Sequence, residues 1–169
     1  MIDRISELLR RSTGDTAAFP ATILYNEGWM LRLILDAFDR LRPAACPLSP
    51  QKSAAWFSEA LLPSAFLPRS RKDPLGESWT HADGVVGHIQ IGAGSCADLR
   101  LANGATQFVV VEAKMFSKLS KGVSHAKYYD QAARNVGCMA EVLARAECSP
   151  ANLVQLAFYV VAPKSQIDE

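Results

Sequence analysis

The sequence predicts an α/β domain built as helix, three strands, helix, strand, with a mixed central sheet flanked by helices. Three observations carry that prediction. Gln107–Lys114 (QFVVVEAK) and Leu153–Val161 (LVQLAFYVV) are apolar runs rich in β-branched residues, of the kind that form strands covered on both faces. A segment of helical periodicity, about Ser124–Arg145, separates them, and a strand, helix and strand in succession make a crossover that sets the two strands parallel. An Asn103-Gly104 pair precedes the first run, which is the composition of a tight hairpin turn.

The 169 residues suit one domain, 1–169, and 49% hydrophobic with 21% charged residues is the composition of a water-soluble globule. A net charge of +1 excludes binding to nucleic acid by global charge alone, so any such binding needs a local patch. Cys46, Cys96, Cys138 and Cys148 show neither zinc spacing nor pairing, and the N-terminus is charged from Asp3 onward. No apolar run reaches the length of a membrane span, and a cytoplasmic protein is expected.

Ile2–Arg11 has apolar residues at helical spacing, and Pro20 suits the first turn of a second helix running to about Leu41. The expected buried stripe of that helix is Leu24, Leu31, Ile34, Leu35, Phe38 and Leu41, with Arg32, Asp36 and Asp39 facing water. Glu27 falls on the apolar side, an unusual place for a carboxylate. Gln51–Leu62 reads as a short helix closed by Pro63, followed by an irregular stretch bearing Arg69, Arg71 and Lys72. Strands are then expected at about Gly84–Ile91, Cys96–Ala102 and Gln107–Lys114, the last two joined as an antiparallel hairpin.

In the strand Gln107–Lys114, Glu112 and Lys114 project from one face and Ala113 from the other. A salt bridge at a strand end accounts for that pair in isolation. The hairpin, however, sets Asp98 opposite the Glu112 region, and two facing carboxylates need a positive partner, for which a divalent cation is economical. After Lys114 no acid appears until Asp130, so Lys118, Lys121 and Lys127 make a locally basic segment. On the following helix, Lys127, Gln131 and Arg134 form a polar lane beside Tyr128 and Asn135, and Tyr129, Ala132, Ala133, Val136, Met139 or Ala140, and Leu143 form the expected buried stripe. His81, His88 and His125 are far apart in sequence and read as surface or core histidines. The chain stops soon after Leu153–Val161, and a further covering helix is expected from a longer chain, a homodimer partner or a larger assembly.

This order of elements, with Glu27 on the first helix, Asp98 on the second strand, Glu112-Ala113-Lys114 ending the third and Gln131 on the next helix, resembles the PD-(D/E)XK nuclease superfamily of restriction-endonuclease-like fold. The resemblance covers about Thr22–Val161. It implies a nuclease in which Asp98, Glu112, the Ala113 carbonyl and Glu27 hold Mg²⁺ or Mn²⁺, Lys114 orients or deprotonates a water, and Gln131 positions the nucleophile or the backbone. It also implies a nucleic acid partner, most simply DNA, met by Lys118, Lys121, Lys127 and Arg134 through backbone phosphates. Ala97 stands where the motif's name has proline, and Asn135 where a tyrosine follows the glutamine in some members. The competing expectation is a nuclease-like module that binds or scaffolds without chemistry.

Overall fold

The computed structural model describes residues 3, 7, 27–71, 73, 76, 79–92, 99–115 and 130–167. Of the expected N-terminal helix only Asp3 and Glu7 are described, both helical, and the start of the second helix, Asp98, and Lys118, Lys121 and Lys127 lie outside the described residues. Helix α1 is Glu27–Leu41, followed by strands β1 (Ala55–Pro63), β2 (Trp79–Gly87), β3 (Ile89–Ile91), β4 (Leu99–Leu101) and β5 (Gln107–Ala113). Helix α2 (Gln131–Arg145), strand β6 (Gln155–Val161) and the one-turn helix α3 (Lys164–Ile167) complete the order.

The fold is α/β with a mixed four-stranded sheet in the order β1-β2-β5-β6. Strand β2 runs antiparallel to both β1 and β5, and β5 and β6 run parallel from Gln107↔Gln155 to Ala113↔Val161, as the crossover predicts. Helices cover the two faces. Trp29, Leu31 and Leu35 of α1 pack with Val109, Val111 and Ala113, while Cys138, Met139, Val142 and Leu143 of α2 pack with Phe108 and Val110. Every residue of β5 is buried, so alternate side chains feed two separate cores.

The segment Gln51–Leu62 is not a helix. Strand β1 occupies Ala55–Pro63 and pairs with β2 along its length, because the apolar run WF…ALL supplies both faces of a strand better than one stripe of a helix. The expected hairpin between the second and third strands does not form either. Strand β4 pairs with β3 in a separate two-stranded sheet, Ile91 opposite Leu99. A strand has two edges, and β2 and β6 take both edges of β5, leaving none for β4. Gly104 still makes a turn at φ +72, but that turn leads from one sheet to the other. At Gly87, φ is +153 and a Cβ would collide with the Gln107 carbonyl, so glycine lets the chain leave β2 for β3 there.

Both helices are rotated from the expected stripes. Arg32 and Asp36 of α1 are buried, 0% and 2% exposed, whereas Leu41 is 75% exposed. The buried face of α2 holds Arg134, Asn135, Cys138, Met139, Val142 and Leu143, and Val136 is half exposed. Strand β6 is an edge strand rather than fully buried, and its Leu156 and Val160 are partly exposed. No described helix is long and apolar enough to cross a membrane.

Candidate active site

The C-terminal end of β5 gathers polar side chains from four elements. Glu112 is 1% exposed, and its Oε1 accepts from Lys114 Nζ at 2.6 Å and from Gln131 Nε2 on α2. Its Oε2 lies 3.4 Å from Asn135 Nδ2. Gln131 opens α2 because Asp130 caps the helix, its carboxylate accepting from Ala133 N at 2.7 Å. Residues 131 and 135 are one turn apart, so both reach the same carboxylate. The polar lane read from the sequence thus turns inward, and Arg134, 8% exposed, does not lie on an open face.

Asp83 on β2 is the acid that meets Glu112. The pairing of Gly84 with Val111 brings Asp83 alongside Glu112 one step further along, and Asp83 Oδ2 accepts from Ala113 N at 2.8 Å. The neighbouring Gly84 lets α1 come close, since a Cβ there would lie 2.9 Å from Leu31 Cδ2. Helix α1 in turn brings Glu27, whose Oε1 accepts from Met115 N at 2.8 Å. Glu27, Glu112, Lys114 and Gln131 are therefore brought together. Asp98 lies outside the described residues, and the β4–β5 pairing that set it opposite Glu112 is not formed.

Asp83 escaped the sequence reading because Asp83-Gly84 has the chemistry of a turn, and the strand was expected to begin after it. Its signal was the lone acid within WTHADGVVG, a run that alternates like a strand. Glu59 was hidden by the helical reading of its segment. It stands in β1 between Ser58↔Gly84 and Ala60↔Ala82, which sets it across from Asp83, and its φ of +58 is left-handed. Beneath it, the buried Arg32 donates through Nε to Ser58 Oγ at 2.8 Å, and its Nη2 lies 3.8 Å from Glu59 Oε1. The Arg32 guanidinium also sits 5.3 Å from the Trp29 ring centre.

Charge is frustrated across this row. Burial, and then the charge of Asp83, push Glu112 up to about 7 against the pull of Lys114. Asp83 is raised by burial and further by Glu27, although the Ala113 N–H, Lys114 and Glu112 oppose this. Burial and Asp83 likewise raise Glu59, offset by Arg32 and His81. Burial alone would lower Lys114, but the hydrogen bond and charge of Glu112, with Asp83 and Glu27, hold its ammonium above the ordinary value. The lysine is a firm cation that cannot neutralise the surrounding acids by itself.

Among the described residues, no three carboxylate, imidazole or thiolate groups stand in cation-holding geometry as the side chains lie, because Glu112 is closed on Lys114 and Gln131. The donor set nevertheless fits a hard divalent ion: adjacent carboxylates at the end of a strand, Glu112 and Asp83 both raised first by burial and further by a neighbouring acid, Asp83 for the one and Glu27 for the other. A cation would relieve that repulsion. In comparisons with known proteins, no family model, no curated protein and no solved structure matches this chain.

Proposed function

We propose that this protein is a metal-dependent nuclease that hydrolyses phosphodiester bonds of nucleic acid, most simply DNA, with the αβββαβ arrangement of the restriction-endonuclease-like fold. One observation carries the reading: Asp83 and Glu112 meet across adjacent strands beside Lys114, with Glu27 above them and Gln131 holding Glu112. The antiparallel order β1-β2-β5, the parallel β6 and the helices on both faces support the fold, with β3–β4 as an inserted hairpin. The motif aspartate in this reading is Asp83, on the strand paired directly with β5.

Asp83, Glu112, Glu27 and the Ala113 carbonyl would hold Mg²⁺ or Mn²⁺. When bound, the cation neutralises charge on the scissile phosphate and acidifies a water. Lys114 presents its ammonium from the same face as Glu112 and stabilises the negative charge that grows on the phosphoryl oxygens. Gln131, with Lys114, holds the Glu112 carboxylate at the strand end, and a bound cation would take that carboxylate over from them. Water oxygen forms the new P–O bond, the bridging P–O bond breaks, and the leaving oxygen takes a proton.

Cleavage of plasmid and single-stranded DNA with Mg²⁺ or Mn²⁺ tests the reading. Lys114→Ala and Asp83→Asn should abolish cleavage while circular dichroism stays unchanged, and Asp98→Asn should cleave as the parent does. Loss in Asp98→Asn with a fully active Asp83→Asn would return the aspartate role to Asp98. Cleavage unaffected in all three overturns the assignment of chemistry to this site, and a parent that binds DNA without cleaving it favours a binding module without chemistry.

A further inference from the structure

Resting on the cation reading of this site, we infer that Glu59 is a positioning residue that acts through its backbone: its left-handed conformation turns β1 and β2 together and so delivers the Asp83 carboxylate to the end of β5. Residues two apart in a strand share a face. That rule fails once in β1 and once in β2, at the same rung. Ser58 faces α1, bonded to Arg32, but Ala60 packs in the core that α2 covers. Gly84 lies against Leu31 of α1, but Ala82 packs in the core beneath α2. Ser58 pairs with Gly84 and Ala60 with Ala82, so neither strand has gained a residue there. Both strands therefore switch faces at the rung formed by Glu59 and Asp83. Of these two, Glu59 is the left-handed one, φ +58, and it is the only non-glycine residue with a positive φ in the described strands.

A left-handed backbone is costly for a residue with a Cβ, and such strain gathers at functional sites. Here its consequence lies one strand over. The β2–β5 ladder ends at Gly84↔Val111, whereas β1 stays paired with β2 as far as Pro63↔Trp79. Strand β2 thus leaves β5 where it switches faces, and β1 leaves with it. The next β5 amide directed at β2 is that of Ala113, which a continued ladder would set against Ala82. Asp83 Oδ2 takes that N–H instead, at 2.8 Å. With β2 kept flat against β5, a backbone carbonyl would fill the position, and the Asp83 carboxylate would have no place beside Glu112. Arg32 braces the turn from the α1 side, through Ser58 Oγ at 2.8 Å and with Nη2 3.8 Å from Glu59 Oε1. Groups that orient an ion's ligands commonly contribute about ten- to a hundredfold to its affinity.

Mn²⁺ binding to the full chain by calorimetry, with amide exchange of Ala113 in the metal-free protein, tests this without any turnover. Valine resists a positive φ, glycine adopts it freely, and glutamine keeps the side chain without its charge. Glu59→Val should bind Mn²⁺ about tenfold more weakly than the parent. Its Ala113 amide should also exchange faster relative to that of Val109, which stays paired with Val86. Glu59→Gly and Glu59→Gln should match the parent in both measurements. Should Glu59→Val fail to fold, Glu59→Ala, which also disfavours the left-handed region, carries the same comparison. Unchanged affinity or unchanged Ala113 exchange in the valine or alanine variant overturns the inference. An equal loss in the glycine or glutamine variant overturns it too, because the effect then belongs to the side chain or its charge. Asp83→Asn separates the two levels. If the parent binds no Mn²⁺, or binds it without need of Asp83, the cation reading falls and this inference with it. If binding depends on Asp83 while Glu59→Val binds normally, only this inference falls.

Discussion

Strand β5 carries a buried polar side chain at each end, and the two ends solve the problem of burial in opposite ways. At its start Gln107, 0% exposed, is fully matched: Oε1 accepts from Gln51 N, and Nε2 donates to Pro47 O, Ser49 O and Gln155 Oε1, all between 2.6 and 3.0 Å. A neutral amide with neutral partners locks the Pro47–Gln51 loop and β6 to the central strand. At the other end Glu112 is as deeply buried, but its neighbourhood adds Asp83 and Glu27 against a single lysine, and its carboxyl is pushed up to about 7. A satisfied buried polar group signals architecture, and one left in conflict with its neighbours signals a task.

A substitution at each end of β5 should lose a different property. Glu112→Gln should reduce metal-dependent cleavage by about a hundredfold to a thousandfold, with little change in stability, as read by cleavage rate and thermal melting. Gln107→Leu should do the reverse. It strands several buried partners and costs about 3 kcal/mol of stability, measured by urea unfolding, while any properly folded fraction keeps its activity. An equal loss of stability in both variants would erase the distinction.

Acid sharpens it further. The carboxyl of Glu112 is raised in the folded chain from an ordinary 4.5 to about 7, so the native state holds a proton that the unfolded chain releases. The stability tied to that proton is fully present below 4.5 and is lost as pH rises through about 7. The metal-free protein should therefore melt a few degrees higher at pH 5 than at pH 8. Glu112→Gln should flatten that slope and saturating Mn²⁺ should weaken it, whereas Gln107→Leu should leave it intact. Glu59→Gly gives the smallest effect. Relief of the left-handed backbone at φ +58 should offset the added chain freedom and keep or raise stability, by up to about 1 kcal/mol. A clear loss would mean that the Arg32 contact matters more than the strain.

Legible in the sequence alone were the central strand, its parallel partner, the helix between them, and Glu27, Glu112, Lys114 and Gln131 as polar groups at unusual places. Those features are local: a doubly apolar run, a polar end, a period of 3.6 interrupted by the wrong residue type. What the tertiary structure decided is which strand lies beside β5. Hairpin chemistry at Asn103-Gly104 favoured β4, but β5 has only two edges, and the longer β2 and β6 fill them, which brings in Asp83. Rotation of the helices was equally invisible. Arg32 and Asn135 look like solvated positions until packing brings Arg32 Nε to Ser58, its guanidinium near Glu59, and Asn135 Nδ2 to Glu112. Local pattern can show that a buried charge needs a partner; only the sheet's pairing supplies the partner's number.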